Sequence, residues 1–274
     1  MERIALFTLE CFPSSEAIIS FIEKHHDKLV LVVTSQGHGV KHYFQEFVKH
    51  YRRSGISFIA YFIYSLTLYF WAVHFFHLVS ILTGRPRRFF TVSELCRKYN
   101  IELIKSANVN SPDIRAKLQQ ANLDYIVVYY FDQILKQQTI DIPKRGVLNV
   151  HAAYLPQCRG PFPEFYTALR ANGNFGITIH QIVDNSIDVG PILAQIRVDV
   201  PKGKSILLLS KRIHSCGVDL VSDVIEHFDV YSQNKIVQGE GSYYSFPTRE
   251  DIKEARKKGI RLHSFQEFLG EFCK

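Results

Sequence analysis

Apolar positions along this chain fall into short blocks separated by polar stretches rich in turn residues. Residues 3–9 form one block, of a length suited to a buried strand. Pro13-Ser14-Ser15-Glu16 then marks a helix start, and Ile18, Ile19, Phe21 and Ile22 give that helix an apolar stripe. Residues 28–34, Lys-Leu-Val-Leu-Val-Val-Thr, are a β-branched run of strand length, and Ser35-Gln36-Gly37-His38-Gly39 reads as a loop. A helix is predicted over 91–99 and a short strand over 100–104. Ser111-Pro112-Asp113 caps another helix running to about residue 121, and 124–130 is a further buried strand. Strands alternating with helices imply an α/β fold, a parallel sheet with helices on both faces.

Farther on, 206–228 has the pattern of an amphipathic helix, 242–248 is extended and 249–259 is a charged helix. No internal repeat or low-complexity tract is present. Neither the loop after Thr34 nor the turn Glu10-Cys11-Phe12-Pro13 has GxGxxG spacing, so a dinucleotide site is not supported.

One segment interrupts the alternation. Residues 57–83 contain no Asp, Glu, Lys or Arg, and basic residues flank them: Lys41, Lys49, Arg52 and Arg53 before, Arg85, Arg87 and Arg88 after. The length passes the threshold for a membrane-spanning helix. Yet the strands at 28–34 and 100–104 should share one sheet, so both flanks must lie on one side of a bilayer. One crossing is excluded, and two do not fit in this length. An in-plane helix or shallow hairpin at the headgroup level is the favoured reading, with Trp71 and nearby tyrosines at the interface. The competing reading is a helix buried against the domain or in a dimer interface.

The 274 residues suit one large domain, or one domain with a small appendage. Five widely spaced cysteines with no CxxC pair suggest neither a zinc cluster nor a disulfide framework, and a reducing compartment follows. Cys158 is read as a spectator. A net charge of +7 suits an anionic partner or an ordinary basic surface equally. The apolar run at the N-terminus is too short for a signal peptide.

The candidate chemistry lies between 149 and 190. Asn149 and His151 stand two apart on Gly146-Val147-Leu148-Asn149-Val150-His151, so on a strand they face one side, at the end where open α/β sheets place ligands. Singly, a strand-end His is more often structural, and an Asn is more often a turn former. A Leu155-Pro156 turn and Arg159-Gly160-Pro161 follow. His180 ends the strand 176–182, where it positions a loop or contacts substrate. Asp188 lies in Asn185-Ser186-Ile187-Asp188-Val189-Gly190; alone, it reads as a loop carboxylate accepting backbone N–H groups. An amide, an imidazole and a carboxylate together are the kit for moving an acyl group onto an amine.

Asn149-x-His151, Leu155-Pro156-x-x-Arg159-Gly160-x-x-Pro163, Gly176-x-Thr178-x-His180 and Asp188-x-Gly190 resemble the 10-formyltetrahydrofolate-dependent formyltransferase family, over roughly 1–35 and 90–205. The resemblance implies an α/β fold with an open, mostly parallel Rossmann-like sheet, helices on both faces and, here, an apolar helical insertion. It assigns Asn149, His151 and Asp188 to the catalytic triad. Gln133, Ile134 and Leu135 fall in the loop that grips the pterin ring, and Val183 and Asp184 in the second folate loop. Arg159 and His180 are left to substrate contact or positioning. In the implied reaction Asn149 and His151 hold the oxyanion. Asp188 orients His151, raises its pKa and helps relay the amine proton. No metal is required.

Two departures from the family bear on the acceptor. The stretch from about 40 to 88 is an insertion, and the long C-terminal domain of the methionyl-tRNA enzymes is not seen. The sequence therefore favours an amino-sugar nucleotide or a lipid-linked amine over nucleic acid. It divides into a catalytic domain over 1–205 and a helical and extended C-terminal extension over 206–274. A cytoplasmic location is expected, peripheral on the inner membrane face through 57–83, with a homodimer left open. The alternatives from other classes are a non-catalytic membrane-associated scaffold and a formyltetrahydrofolate hydrolase.

Overall fold

A computed structural model describes residues 2–36 and 40–273, the side chains of 40–43 excepted; residues 37–39 of the loop expected at 35–39 lie outside the described residues. Seven strands form one sheet in the order β3-β2-β1-β4-β5-β6-β7. They are β1 (Ile4–Thr8), β2 (Leu29–Ser35), β3 (Glu102–Ser106), β4 (Tyr125–Tyr129), β5 (Gly146–His151), β6 (Gly176–Ile182) and β7 (Ile192–Arg197). From β3 through β5 every pairing is parallel, whereas β6 and β7 run antiparallel. The β6–β7 connection, residues 183–191, is shorter than the dozen or so residues a parallel crossover needs, so the chain turns back.

Both faces of the sheet are covered, and every residue of β1 and β4 is buried. One face packs α1 (Ser15–His25), α5 (Val92–Lys98), α8 (Pro163–Arg170) and the long α9 (Ile206–Glu226); the other packs α6 (Pro112–Gln120) and the single turn α7 (Gln137–Ile140). Local chemistry sets these limits. Thr91 caps α5 by accepting from Glu94 N, while the Glu94 carboxylate accepts from Thr91 N at 2.8 Å. The third strand starts two residues later than expected. Asn100, at φ +55, closes α5 in the left-handed conformation, and Ile101 N–H bonds the Cys96 carbonyl at 2.8 Å.

The apolar segment follows α2 (Val40–Ser54) and Gly55, whose φ of +81 turns the chain. Residues Ile56–Thr83 then run as one helix, so the hairpin alternative does not apply. It comprises α3 (Ile56–Phe62), a π-helical stretch (Ile63–Leu68) and α4 (Tyr69–Thr83). Phe58, Ile59, Tyr61, Tyr69 and Val73 are buried against the domain. Phe58 lies 5.4 Å from the Phe162 ring and Tyr69 6.3 Å from Phe12. Within the π stretch the Ser65 carbonyl accepts from Phe12 N–H at 2.8 Å, which ties the helix to the loop after β1.

Candidate functional site

Asn149 and His151 share one side of β5, as their spacing requires. Antiparallel pairing sets His180 of β6 opposite Asn149, so these two side chains are neighbours on the same face. Asn149 Nδ2 donates to His180 Nε2 at 2.9 Å, and His180 Nδ1 donates to the Gln181 carbonyl at 3.1 Å. The second Asn149 amide hydrogen goes to Asp188 Oδ1 at 3.2 Å.

Asp188 arrives on the β6–β7 loop with a φ of +55. Its Oδ1 lies 3.5 Å from His151 Nδ1 and 3.4 Å from His180 Nε2, and its Oδ2 accepts from Gly160 N–H at 2.9 Å. The other ring nitrogen, His151 Nε2, donates to the Cys158 carbonyl at 3.1 Å. Asn149, His151, His180 and Asp188 thus meet at one point, and His180 stands as the partner that fixes the Asn149 amide.

The electrostatics follow from burial and company. Burial would raise the Asp188 pKa, but His151, His180 and the Gly160 N–H outweigh it and hold the carboxyl well below the usual range. For His151 the balance tips the other way. Burial lowers its pKa, and the upward pull of Asp188 does not overcome it, so the expectation of a raised imidazole pKa is corrected. The result is a neutral imidazole beside an ionised carboxylate. Cys158 lends its carbonyl to His151, and burial pushes its thiol pKa up, away from a reactive thiolate.

Backbone approach sets two glycines. At Gly160, with φ +114, a Cβ would sit 2.0 Å from the Tyr244 carbonyl oxygen, and at Gly190 one would sit 1.8 Å from that of Gln181. Gly160 lies where residues 242–244 run beside the site loop: Arg159 N–H bonds the Ser242 carbonyl, and Tyr244 N–H bonds the Arg159 carbonyl, each at 2.9 Å. The Arg159 guanidinium donates to Gln238 Oε1 at 2.8 Å and to the Gly239 carbonyl at 3.0 Å. Gln238 Nε2 in turn donates to the carbonyls of Asp188, at 3.0 Å, and Gly190, at 2.6 Å. Arg159 therefore braces the Asp188 loop through Gln238. Gln238 was not among the expected residues. It sits in the irregular stretch 234–242, fifty residues from Asp188, with no periodicity or spacing to single it out.

A second missed group is Glu164, at the start of α8. Its Oε1 accepts from Ser210 Oγ and lies 3.2 Å from His214 Nε2. Burial acts to raise the pKa of this carboxyl, but His214 and Ser210 draw it below normal.

The residues expected to hold a folate divide into two sets. Ile134, Val183 and Asp184 are exposed. Leu135 is buried in the core, and the Gln133 side chain is turned inward, donating to Ser35 Oγ and the Ser106 carbonyl and accepting from Val109 N–H. The Gln133 and Leu135 side chains are thus engaged within the fold. The two loops meet, since Gln137 Nε2 donates to the Val183 carbonyl at 3.2 Å. Ile134, Val183, Ile187 and Val189 leave an exposed apolar rim on them. The chemistry of that rim suits a flat, mostly apolar ring. Among the described residues, no three His, Cys, Asp or Glu are grouped to hold a metal ion.

Comparison with known proteins gives a consistent picture. The chain is 32% identical to a methionyl-tRNA formyltransferase of Blochmanniella pennsylvanica over 171 residues, 62% of this chain and 52% of that protein. It is 30% identical to the Bacillus subtilis methionyl-tRNA formyltransferase over 145 residues, 53% of this chain and 44% of that one. The chain spans about half the length of the curated relatives it matches. Among solved structures, an N-formyltransferase from Helicobacter canadensis in complex with folinic acid and dTDP-3-aminofucose superposes with a TM-score of 0.55. Sequence identity there is 18%, over 98% of this chain and 82% of that one. The phosphoribosylglycinamide formyltransferase of Streptococcus pneumoniae gives a TM-score of 0.53 at 16% identity, over 84% and 99%. These likenesses show a shared fold. The model of the family described as "Formyl transferase" matches residues 83–225, just over half of the sequence, and the chain belongs to that family.

Proposed function

We propose that this protein is an N-formyltransferase that moves a formyl group from 10-formyltetrahydrofolate to an amine, with Asn149, His151 and Asp188 as the catalytic groups. The observation that carries the reading is the single Asp188 carboxylate within 3.5 Å of both Asn149 Nδ2 and His151 Nδ1 at the end of β5. The folate supplies the formyl carbon. The acceptor amine, unprotonated, forms the new C–N bond as the bond to the folate nitrogen breaks. The Asn149 amide and the His151 N–H are the donors for the charge that develops on the formyl oxygen, exchanging their present protein acceptors for it. His151, kept neutral by burial, and ionised Asp188 handle the proton that passes from the attacking amine to the leaving nitrogen. Val183, Asp184 and Ile134, with the backbone of Gln133 and Leu135, hold the folate. Arg159 and His180 position.

For the acceptor we favour an amino-sugar nucleotide or a lipid-linked amine. The support is the likeness to sugar N-formyltransferases, such as one from Shewanella covering 89% of this chain at a TM-score of 0.52. The catalytic unit is taken as 1–205 with its insertion at about 40–88, and 206–274 as the extension that braces it. A cytoplasmic setting accords with five cysteines that are all free.

The test is turnover of 10-formyltetrahydrofolate against amino-sugar nucleotides, lipid-linked amines and methionyl-tRNA, with analysis for formylated amine and free formate. Formylated amine is expected, and an Asn149→Ala/His151→Ala protein should be silent. Turnover surviving in that double variant sinks the site assignment; formate as the sole product makes the protein a hydrolase.

A further inference from the structure

We infer that the outer stripe of the helix Ile56–Thr83 is a docking face for an anionic lipid bilayer, lying along the membrane surface rather than through it. The stripe is built from Ile63, Leu66, Phe70, Phe75, Leu78 and Ile81, which recur every three to five residues on the side away from the domain and are all exposed. Trp71 and Leu82 on the same side are 65% and 75% exposed. A soluble surface rarely carries an apolar strip of this extent without a partner.

The packing decides how a bilayer meets it. One half of the helix is fixed through Phe58 to Phe162, and the other through Phe76, whose ring lies 5.4 Å from Phe272 and 6.0 Å from Phe89. The helix is thus bound lengthwise to the domain. It can lay its outer face into the headgroup region but cannot leave the body to span.

Charge selects the occupant. Between Glu46 and Glu94 the chain has no acidic residue and six Lys or Arg. Arg52 and Arg85, one before the stripe and one after it, are exposed and have no ion-pair partner among the described residues. A second copy seated on this face would set arginines against arginines, whereas anionic headgroups complement them. The inference makes no use of the formyl-transfer reading, and its readout needs no turnover.

Trp71 is the sole tryptophan of the chain, so its fluorescence reports the stripe without a label. Full-length protein is mixed with phosphatidylcholine vesicles containing or lacking phosphatidylglycerol. Anionic vesicles should shift the emission to the blue and shield Trp71 from acrylamide, and added salt should reverse both effects. Arg52→Gln and Arg85→Gln should each weaken binding about fivefold, and Leu78→Ser and Ile81→Ser about tenfold each, with unchanged circular dichroism. No shift with anionic vesicles overturns the inference. So does a shift that grows with protein concentration in the absence of vesicles, which makes the stripe an interface between copies.

Discussion

Asp188 is held by side chains and backbone at once, and each hold has a separate consequence. Its carboxylate faces Asn149, His151 and the Gly160 N–H, while its carbonyl is gripped by Gln238. Asp188→Asn keeps the shape but removes the charge, and formyl transfer should fall by at least about 100-fold in kcat. Gln238→Ala should act through position alone. Because the Gln238 side chain bonds the loop and Arg159, kcat should drop about 10- to 100-fold while the KM for the folate and the melting temperature stay nearly unchanged. A melting temperature that falls in step with kcat would make Gln238 a general structural prop instead. At this scale the sequence was legible in part. Asn149 and His151 were readable because strand periodicity alone places them on one face. Gln238 was invisible, because its role exists only once fifty intervening residues have folded back on the site. The His151 pKa was misjudged because a charge partner can be named from sequence, whereas depth of burial cannot.

The inserted helix has two apolar faces with different duties. Phe58 is fully buried among rings from Tyr61, Phe162 and Phe246. Phe58→Ala should therefore cost about 3–5 kcal/mol in urea unfolding. Ile63→Ser on the outer face should stay within about 0.5 kcal/mol, because that side chain is exposed and outside the buried core. Equal costs at the two positions would mean that the outer face is also packed. The sequence announced the element through its missing charges but concealed which side faces in. A helix shows its orientation by contrast between apolar and polar faces, and here the contrast is slight. The π stretch compounds this, since one extra residue per turn offsets the two halves by about 100°. The sheet elements were far easier to read: their runs are short, β-branched and bounded by turn residues.

Stability of the whole molecule carries a pH signature. His25 on α1 is buried against α9, where its Nε2 lies 2.8 Å from Ser222 Oγ, and burial with Lys28 and Lys24 nearby lowers its pKa from 6.5 to about 4. Between those values the unfolded chain binds the proton and the folded one resists it, so the His25 contribution to stability declines as pH falls from 6.5 to 4 and is constant below. The contribution is about 3 kcal/mol, and His50, His151 and His263, also shifted downward, act in the same direction. Urea melts across that range should show the slope, and His25→Gln should flatten it. If His25→Gln leaves the slope intact, the α1–α9 contact is not its source. The grip of Gln238 on the Asp188 loop also has a meaning in time. A ribosome makes β5, β6 and the Asp188 loop well before it makes Gln238. The nascent chain can therefore assemble its sheet while the carboxylate is still unlatched. On the proposed reading, the site reaches its full rate only after the chain past Gln238 has been delivered, and a half-made protein works slowly at most.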